Sequence, residues 1–515
     1  MKKIALLLFG MSYALLAAAQ PLSSSDIDRL AERALKAFDV PGIAIGVVKD
    51  GKLIHAKGYG IRALNNGKKT DEHTLFGIAS NSKAFTAAAL GILVDEGKLH
   101  WDDKVTDYIP EFKLADAYVT GEFTVRDLLT HRSGLGLGAG DLMIFPDGSD
   151  FNLKDIIHNL RYLKAVSSFR SKFDYDNLLY IVAGEVVTRV SGKSWQEFIE
   201  TRIMKPLGMQ ESAADLLRLK DTTNVAAPHA PVAGKVQQIQ PDVNPLMDAA
   251  GGIYTNITDL SKWVIMQLDG GTYGKEQRLF SKDVQEAMWM PQTIIPTRGG
   301  GSYRNHFLSY GLGWMLSDVG GYKQVMHTGG LAGMVTQVTL FPELKLGIIV
   351  LTNQQSGAAF TSLSNQIKDG YLGIKGMDRI KEAKERVDKE QAEADKITKE
   401  IWAATSAASS KAAPDTAAYM GTYTDNWFGN VVIEKNKDGL RLRSVRSPRL
   451  CGSLLYYKAN TFIVKWDDRS MDADAYVMFS LDENGKAARI RMKPVSPMTD
   501  FSYDFQDLDL ERKAP

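Results

Sequence analysis

The segment Ala79–Leu93 reads ASNSKAFTAAALGIL, and it combines a reactive pair of side chains with the pattern of a buried helix. Its apolar residues recur at helical spacing, and its alanines have high helix propensity. Ser80 is therefore expected where the helix begins, near unpaired backbone N–H groups and the positive end of the helix dipole, which favour negative charge. Lys83 follows three residues later and shares a helix face with Ser80. The segment predicts a serine nucleophile beside an amine.

Lys83 can take a proton from Ser80 only if the amine is neutral. Burial against a helix disfavours the ammonium and lowers the pKa of a lysine. The alternative interpretation is that Ser80 only caps the helix and that Lys83 is an ordinary solvated side chain. Because Ser-x-x-Lys arises by chance in a chain of 515 residues, this motif alone does not decide between the two.

A second segment, 172–182 (KFDYDNLLYIV), changes from polar residues to an apolar helical run. Tyr175 and Asn177 are thus expected at a loop-to-helix junction, where side chains are often presented to a cleft. A phenol near cationic groups has a lowered pKa and can move protons between a serine and a leaving group. The alternative is a half-buried tyrosine followed by an asparagine that caps the helix.

The third segment, 322–333 (YKQVMHTGGLAG), precedes two β-rich runs joined by Pro342, which predict a hairpin. A strand that ends in His327-Thr328-Gly329-Gly330 lets a substrate backbone approach closely, since glycine has no side chain. The N–H of Gly330 is expected to join the N–H of Ser80 as an oxyanion hole. The alternative is a structural glycine turn with a surface histidine.

The order Ser-x-x-Lys, Tyr-x-Asn, His-Thr-Gly resembles the penicillin-recognising serine hydrolases, which include class C β-lactamases, low-molecular-weight penicillin-binding proteins, D-aminopeptidases and esterases. The segments 124–135 (TVRDLLTHRSGL), 251–256 (GGIYTN) and 310–314 (YGLGW) also resemble that family, and the likeness runs from about residue 25 to 370.

The resemblance implies roles for individual residues. Ser80 would be the nucleophile, and Lys83 and Tyr175 would share proton transfer. Asn177, together with the strand residues His327, Thr328 and Gly329, would contact the substrate.

His327 stands where related β-lactamases carry a lysine that holds the β-lactam carboxylate. Histidine there is typical of the family's peptidases and esterases. The resemblance therefore favours hydrolysis of small peptides, amides or esters, including ones that contain D-amino acids, with β-lactams as ligands or slow substrates. The alternatives are a class C-like β-lactamase or DD-carboxypeptidase, and a non-catalytic protein that binds peptidoglycan fragments.

The chain divides into four predicted parts. Residues 1–19 have two lysines, an apolar run and Ala17-Ala18-Ala19, as in a secretory signal peptide cleaved near Ala19. Residues 20–375 are predicted to be an α/β hydrolase domain, a β-lactamase-like antiparallel sheet flanked by helices with an inserted helical lobe. Residues 376–416 are a charged helix, predicted over 377–401, and a linker. Residues 417–515 alternate short strands with turns and are predicted to be a small all-β barrel, similar to the lipocalin-like domains that follow some of these hydrolases.

Composition limits the remaining function classes. The net charge is +1, from 62 basic and 61 acidic residues, so nothing indicates nucleic acid or an acidic membrane as a partner. The eight histidines and the lone Cys451 form no short metal-binding spacing, and no cofactor motif is present. We expect a periplasmic or secreted bacterial protein that acts on a small-molecule or peptide substrate, needs no cofactor and has no stable membrane anchor. The oligomeric state does not follow from the sequence.

Overall fold

A computed structural model describes residues 21–297, 303–409 and 415–513. The predicted signal peptide, 1–19, lies outside the described residues. Within them, no helix is both long enough and apolar enough to cross a membrane.

The hydrolase domain is built on an antiparallel sheet that has eight strands in the described part of the chain, in the order β2-β1-β8-β7-β6-β5-β4-β3. The strands are β1 Gly42–Lys49, β2 Lys52–Gly60, β3 Thr293–Ile294, β4 Leu308–Tyr310, β5 Met315–Val319, β6 Tyr322–Leu331, β7 Met334–Phe341 and β8 Leu346–Thr352. The N-terminal hairpin pairs with the last strand, Ile43 lying opposite Thr352. The sheet therefore joins both ends of the domain, as predicted.

Helices cover both faces of this sheet. The six longest described helices are α1 Ser24–Ala37, α2 Ser82–Asp95, α3 Leu178–Ser191, α4 Ile257–Leu268, α5 Gly357–Leu372 and α6 Arg379–Ser409. Shorter helices span Val105–Tyr108, Ala117–Glu122, Val125–Leu128, Leu153–Asn159, Trp195–Phe198, Lys205–Leu207, Asp248–Gly251 and Lys282–Met288.

The alternation of β1 explains the layers. Ile43 and Ile45 pack with α1 and α5 on one face, whereas Ala44 and Val48 belong to the core on the other face. That second core contains α2, α3 and α4, and the Phe85 ring of α2 stacks on Trp263 of α4 with centroids 3.9 Å apart. Helix α2 is buried all round from Ser82 to Leu93, which suits its small alanine side chains. The predicted α/β architecture with an inserted helical lobe is confirmed.

The C-terminal strands close into a barrel, eight-stranded over the residues described. They are β9 Gly421–Asp425, β10 Gly429–Asn436, β11 Gly439–Ser444, β12 Cys451–Lys458, β13 Thr461–Trp466, β14 Ala475–Leu481, β15 Ala487–Pro494 and β16 Leu510–Arg512. Closure leaves no open sheet edge. The predicted all-β barrel is confirmed.

Helix α6 connects the two domains and continues to Ser409, beyond the predicted end at residue 401. Alanine has the highest helix propensity, so the alanines after residue 401 prolong the helix where their composition had indicated a linker. Trp402 on this helix lies under Lys465 of the barrel, with the ammonium 5.7 Å from the ring centroid.

The barrel also packs on the helical lobe of the hydrolase domain, at the helix Leu153–Asn159 and the residues just before it. Asn159 donates to the carbonyl of Trp427 at 2.8 Å, and Arg446 pairs with Asp150 at 2.6 Å and with Asp155 at 2.7 Å. Apolar residues of both domains belong to one continuous core. The barrel is therefore docked on the hydrolase domain and not merely tethered to it.

Strand β6 passes very close to the segment that precedes Ser80. A Cβ added at Gly329 would lie 2.7 Å from Thr336 Oγ1 and closer still to the carbonyl oxygen of Ile78. At Gly330, in contrast, an added Cβ would meet no atom within 4 Å. The strand can lie against the Ile78 turn only because residue 329 has no side chain.

We expect Gly329→Ala to lower the free energy of unfolding by about 1 to 3 kcal/mol, as overpacked sites do. Thermal or urea unfolding measures the effect. Gly330→Ala is the matched control and should unfold like the wild type. Equal stabilities for the two variants would contradict the close approach of β6 to Ile78.

Candidate active site

Ser80 lies in a tight 3-10 turn, Ala79–Asn81, that leads directly into α2. Ala79 has φ +49°, a left-handed conformation that is unusual for a residue with a Cβ. The turn is tied to β7, because Asn81 Nδ2 donates to Thr336 Oγ1 at 2.9 Å and Thr336 Oγ1 donates to the carbonyl of Ile78 at 3.0 Å. These contacts hold a strained backbone next to Ser80, the predicted nucleophile, as at many functional sites.

Lys83 is fully buried, and its amine has three acceptors. Nζ donates to Ser80 Oγ at 3.0 Å, to Asn177 Oδ1 at 2.8 Å and to the carbonyl of Ala250 at 2.9 Å. Burial lowers the pKa of Lys83 to about 7, although the carboxyls of Asp141 and Asp176 act in the opposite direction. The ammonium makes all three of these bonds, whereas the neutral amine has two N–H groups and a lone pair that can accept from Ser80. Near neutral pH a substantial fraction of the amine is in this neutral form.

Tyr175 lies at the loop-to-helix junction, as predicted, with its ring centroid 4.9 Å from Lys83 Nζ. The prediction that its pKa is lowered is wrong. Burial raises the pKa of Tyr175 well above its ordinary value, and a hydrogen bond with Ser80 only partly offsets this. Near neutral pH the side chain is a phenol, which can donate a proton but is not itself the base.

Asn177 does not cap α3 with its side chain. Its Oδ1 accepts from Lys83, and its Nδ2 donates to Asp141 Oδ2 at 2.8 Å. The Asp141 carboxyl is buried, and burial raises its pKa well above the ordinary value. Asn177 thus links the Lys83 amine to a buried acid.

His327 is buried, not on the surface, and burial lowers its pKa to about 3. Its Nδ1 lies 2.5 Å from the carbonyl of Thr328, so Nδ1 carries the proton of the neutral ring and donates it. Nε2 is then an acceptor, and the hydroxyl of Tyr310 donates to it at 2.8 Å. The His327 ring is 6.3 Å from that of Tyr175. His327 is therefore an uncharged group in the wall of the site.

The predicted oxyanion-hole residue Gly330 is exposed at the end of β6, next to Gly329, which touches Ile78 and Ala79. Thr328 is partly buried beside it. The structure thus brings Gly330 close to the turn that carries Ser80, and all the predicted site residues lie in one region. Their individual roles stay predictions.

Sequence patterns assign no role to four buried residues of this site: Asp141, Asp176, His131 and Tyr310. The ring of His131 lies 4.2 Å from that of Tyr175 and 4.5 Å from that of Tyr310. His131 and Tyr310 fall in the family-like segments 124–135 and 310–314, which is the one signal that points to them. Asp176 is the middle residue of the Tyr-x-Asn motif, where the pattern leaves its identity open. Asp141 lies outside every quoted segment, and only the fold places it near Lys83.

The arrangement suits nucleophilic catalysis by serine with lysine as the base. Over residues 21–297, 303–409 and 415–513, no three His, Cys, Asp or Glu side chains converge in a way that could hold a metal ion.

Asp176 allows a test of the charge around Lys83. Its carboxylate raises the pKa of Lys83, and its own pKa is raised by burial to about 7. Removing the carboxylate in Asp176→Asn should lower the pKa of Lys83, so the neutral amine should persist to lower pH. The acid limb of kcat/KM for a neutral p-nitrophenyl ester, expected near pH 7 in the wild type, should therefore move to lower pH.

Rate profiles from about pH 5 to about pH 9 measure this shift. His327→Gln is the control, since His327 is already neutral over that range and its loss should leave the acid limb in place. An acid limb that stays in place or moves to higher pH in Asp176→Asn would contradict the assignment to Lys83.

Two family models match the chain. The model described as Beta-lactamase matches residues 27–370, and one described as a domain of unknown function (DUF3471) matches residues 405–512. Among curated proteins, Unguisins hydrolase ungD' of Aspergillus campestris is 28% identical over 78% of this chain and 75% of its own length. Protein flp of Staphylococcus aureus is 26% identical over 65% of this chain, and the matched stretch spans 64% of that protein.

Solved structures agree on the fold. The octameric penicillin-binding protein homologue from Pyrococcus abyssi has a TM-score of 0.61 at 23% identity, covering 92% of this chain and 98% of its own. SurE has a TM-score of 0.55 at 20% identity, covering 95% and 99%. The chain belongs to the Beta-lactamase family, with the fold of the serine penicillin-recognising hydrolases.

Proposed function

We propose that this protein hydrolyses small esters, amides or peptides, including ones with D-amino acids, through an acyl-enzyme on Ser80. One observation carries the proposal: the amine of buried Lys83, with a pKa lowered to about 7, lies within hydrogen-bond distance of Ser80 Oγ, at 3.0 Å. The relative named Unguisins hydrolase supports hydrolysis as the reaction class.

In the proposed reaction, neutral Lys83 takes the proton of Ser80 while Oγ attacks the substrate carbonyl carbon. The N–H groups of Ser80 and Gly330 stabilise the oxyanion that forms. The phenol of Tyr175 donates its proton to the leaving oxygen or nitrogen as the scissile bond breaks, and it recovers a proton from the Lys83 ammonium. In the second half of the reaction, Tyr175 passes its proton to Lys83 and takes one from a water molecule that attacks the acyl carbon. Lys83 then returns its proton to Ser80 Oγ as the acyl bond breaks, and the carboxylic acid product leaves.

The charge of His327 decides between substrate classes. Its pKa is lowered to about 3, so it offers no cation to a substrate carboxylate near neutral pH. This favours neutral esters and D-aminoacyl amides over the alternatives, a class C-like β-lactamase or a DD-carboxypeptidase. The complete set Ser80, Lys83 and Tyr175 weighs against a non-catalytic protein that binds peptidoglycan fragments.

We propose that the enzyme is located in the bacterial periplasm or outside the cell, because residues 1–19 have the pattern of a signal peptide. Its expected partner is a small-molecule or peptide substrate, with β-lactams as ligands or slow substrates. The net charge of +1 supports neither nucleic acid nor an acidic lipid surface as a partner.

The nucleophile is tested by covalent labelling. A fluorescent fluorophosphonate should label the wild type at Ser80, identified by peptide mass spectrometry, and Ser80→Ala should be unlabelled and inactive. Lys83→Ala and Tyr175→Phe should each reduce kcat by several orders of magnitude, because nucleophile activation and proton transfer act as a unit.

Matched controls separate chemistry from folding. Ser364 is a buried serine of α5, and Lys368 is a buried lysine of the same helix whose pKa burial also lowers to about 7. Ser364→Ala and Lys368→Ala should keep the labelling that Ser80→Ala and Lys83→Ala lose. Full activity in Ser80→Ala would overturn the mechanism.

The substrate class is tested by a panel of p-nitrophenyl esters, D-aminoacyl p-nitroanilides and nitrocefin. Because His327 is neutral, kcat/KM should be lower for nitrocefin than for the best ester or amide. His327→Lys should raise nitrocefin turnover relative to ester hydrolysis by supplying a cation. A wild type that is faster on nitrocefin than on every ester and amide would favour the β-lactamase alternative.

A further inference from the structure

The segment between strands β15 and β16, residues 495–509, leaves the barrel and lies on the hydrolase domain; we call it the C-terminal loop. Its Asp504 is fully buried and accepts hydrogen bonds from the backbone N–H groups of Gly140 at 2.6 Å and Leu142 at 2.9 Å. These two residues flank Asp141. The barrel thus reaches the loop that carries a buried acid of the active site.

The hydrolase domain leaves room for this contact. Phe501 packs against Gly138 so closely that a Cβ added to this glycine would lie 2.8 Å from the carbonyl oxygen of Phe501 and 2.9 Å from its ring atom Cδ2. The N–H of Gly138 also donates to the carbonyl of Tyr175 at 2.8 Å. One glycine therefore contacts the C-terminal loop on one side and a predicted catalytic residue on the other.

A chain of polar contacts runs from the C-terminal loop to the nucleophile. Asp504 fixes the backbone on both sides of Asp141 through the N–H groups of Gly140 and Leu142, and the Ser502 side chain lies near the Asp141 carboxyl and favours its ionised form. Asp141 Oδ2 accepts from Asn177 Nδ2 at 2.8 Å, and Asn177 Oδ1 accepts from Lys83 Nζ at 2.8 Å. Asp504 thus positions Asp141, whose carboxyl orients the Asn177 amide, and this amide in turn holds the Lys83 amine. Ser502 lies beside the same carboxyl.

Phe501 borders the site directly. Its ring meets that of Tyr175 edge to face, with centroids 5.8 Å apart, and 38% of the residue is exposed. Next to Gly330, a cavity of about 110 Å³ is bounded by Leu331 and Val335 of the hydrolase domain and by Met471 and Tyr503 of the barrel. This cavity, beside the proposed oxyanion-hole residue Gly330, therefore has one wall in each domain.

Simple adhesion between domains does not explain the buried acid. Asp504 lies close to Asp141, and the Asp141 carboxyl adds to the cost of ionising Asp504 in this buried position. Burying a carboxyl costs more than burying an apolar side chain of similar size, and apolar contacts would dock the barrel as well. We therefore attribute the burial of the Asp504 carboxyl to its two hydrogen bonds, which fix the backbone on both sides of Asp141.

We propose that the C-terminal loop is a part of the active site, in which Asp504 and Ser502 position the Asp141–Asn177–Lys83 chain and Phe501 determines specificity for the apolar substituent of the substrate. This inference rests on the proposed seryl hydrolase function. It assigns the barrel a role in catalysis beyond attachment to the hydrolase domain.

The test uses the full-length protein and three variants: Asp504→Asn, Ser502→Ala and Phe501→Ala. Asp482→Asn is the matched control, since Asp482 also accepts from two backbone N–H groups, those of Asn484 and Lys486, but lies in the exposed β14–β15 turn. Melting temperature, fluorophosphonate labelling of Ser80, kcat and KM are measured for each. The substrates are p-nitrophenyl acetate and p-nitrophenyl hexanoate.

Asp504→Asn and Ser502→Ala should lower kcat by about tenfold or more with KM within about twofold, because orientation of Lys83 is lost while substrate contacts remain. Phe501→Ala should change the hexanoate-to-acetate ratio of kcat/KM by about fivefold or more, and its partial exposure makes a folding defect easy to exclude by melting temperature. Asp482→Asn should match the wild type in kcat and KM.

Two results would overturn the inference while the proposed function stands. One is a labelled, active wild type whose three variants keep its kcat, KM and hexanoate-to-acetate ratio. The other is a loss in Asp504→Asn that follows its folded fraction alone, together with an unchanged ratio in Phe501→Ala. An unlabelled, inactive wild type would instead overturn the proposed function, and this inference with it.

Discussion

The structure depends most on the burial of one amine. Lys83 Nζ has no water-exposed surface and has three acceptors. They are Ser80 Oγ, the side chain of Asn177 directly before α3, and the carbonyl of Ala250 in the short helix Asp248–Gly251. An ammonium in that position is destabilised, and this is what allows a lysine to act as a base near neutral pH. Helix α2 is buried all round, so the amine on its first turn lies in the interior, where the acceptors can converge.

Function and stability oppose each other around this amine. The left-handed Ala79 and the buried carboxyls of Asp141, Asp176 and Asp504 are each unfavourable for folding. The continuous apolar core formed by the sheet, the helical lobe and the barrel offsets these unfavourable contributions and keeps the residues in place. Such a site is rigid because its neighbours enforce it, which is the condition for a preorganised nucleophile and oxyanion hole.

The sequence was sufficient to predict the hairpins, the buried helix after Ser80, the barrel and the grouping of the three motifs. Local patterns carry that information, since hydrophobic periodicity and turn residues act over a few positions. The raised pKa of Tyr175, the burial that lowers the pKa of His327 and the contributions of Asp141 and Asp176 could not be predicted this way. Each depends on burial by residues far away in the chain. For Tyr175, desolvation outweighs the hydrogen bond with Ser80, which lowers the pKa of the phenol. The docking of Asp504 beside Asp141 links residues more than 350 positions apart and has no local signal.

The most direct test of this account is the pKa of the Lys83 amine itself. Lysine labelled with 13C at Cε gives a signal that titrates with the amine, and Lys83→Arg identifies the signal of residue 83. We expect that signal to titrate near pH 7, below the ordinary lysine pKa of about 10.4. A Lys83 that titrates near its ordinary value would show that the amine is charged in the working enzyme, and the mechanism built on it would be wrong.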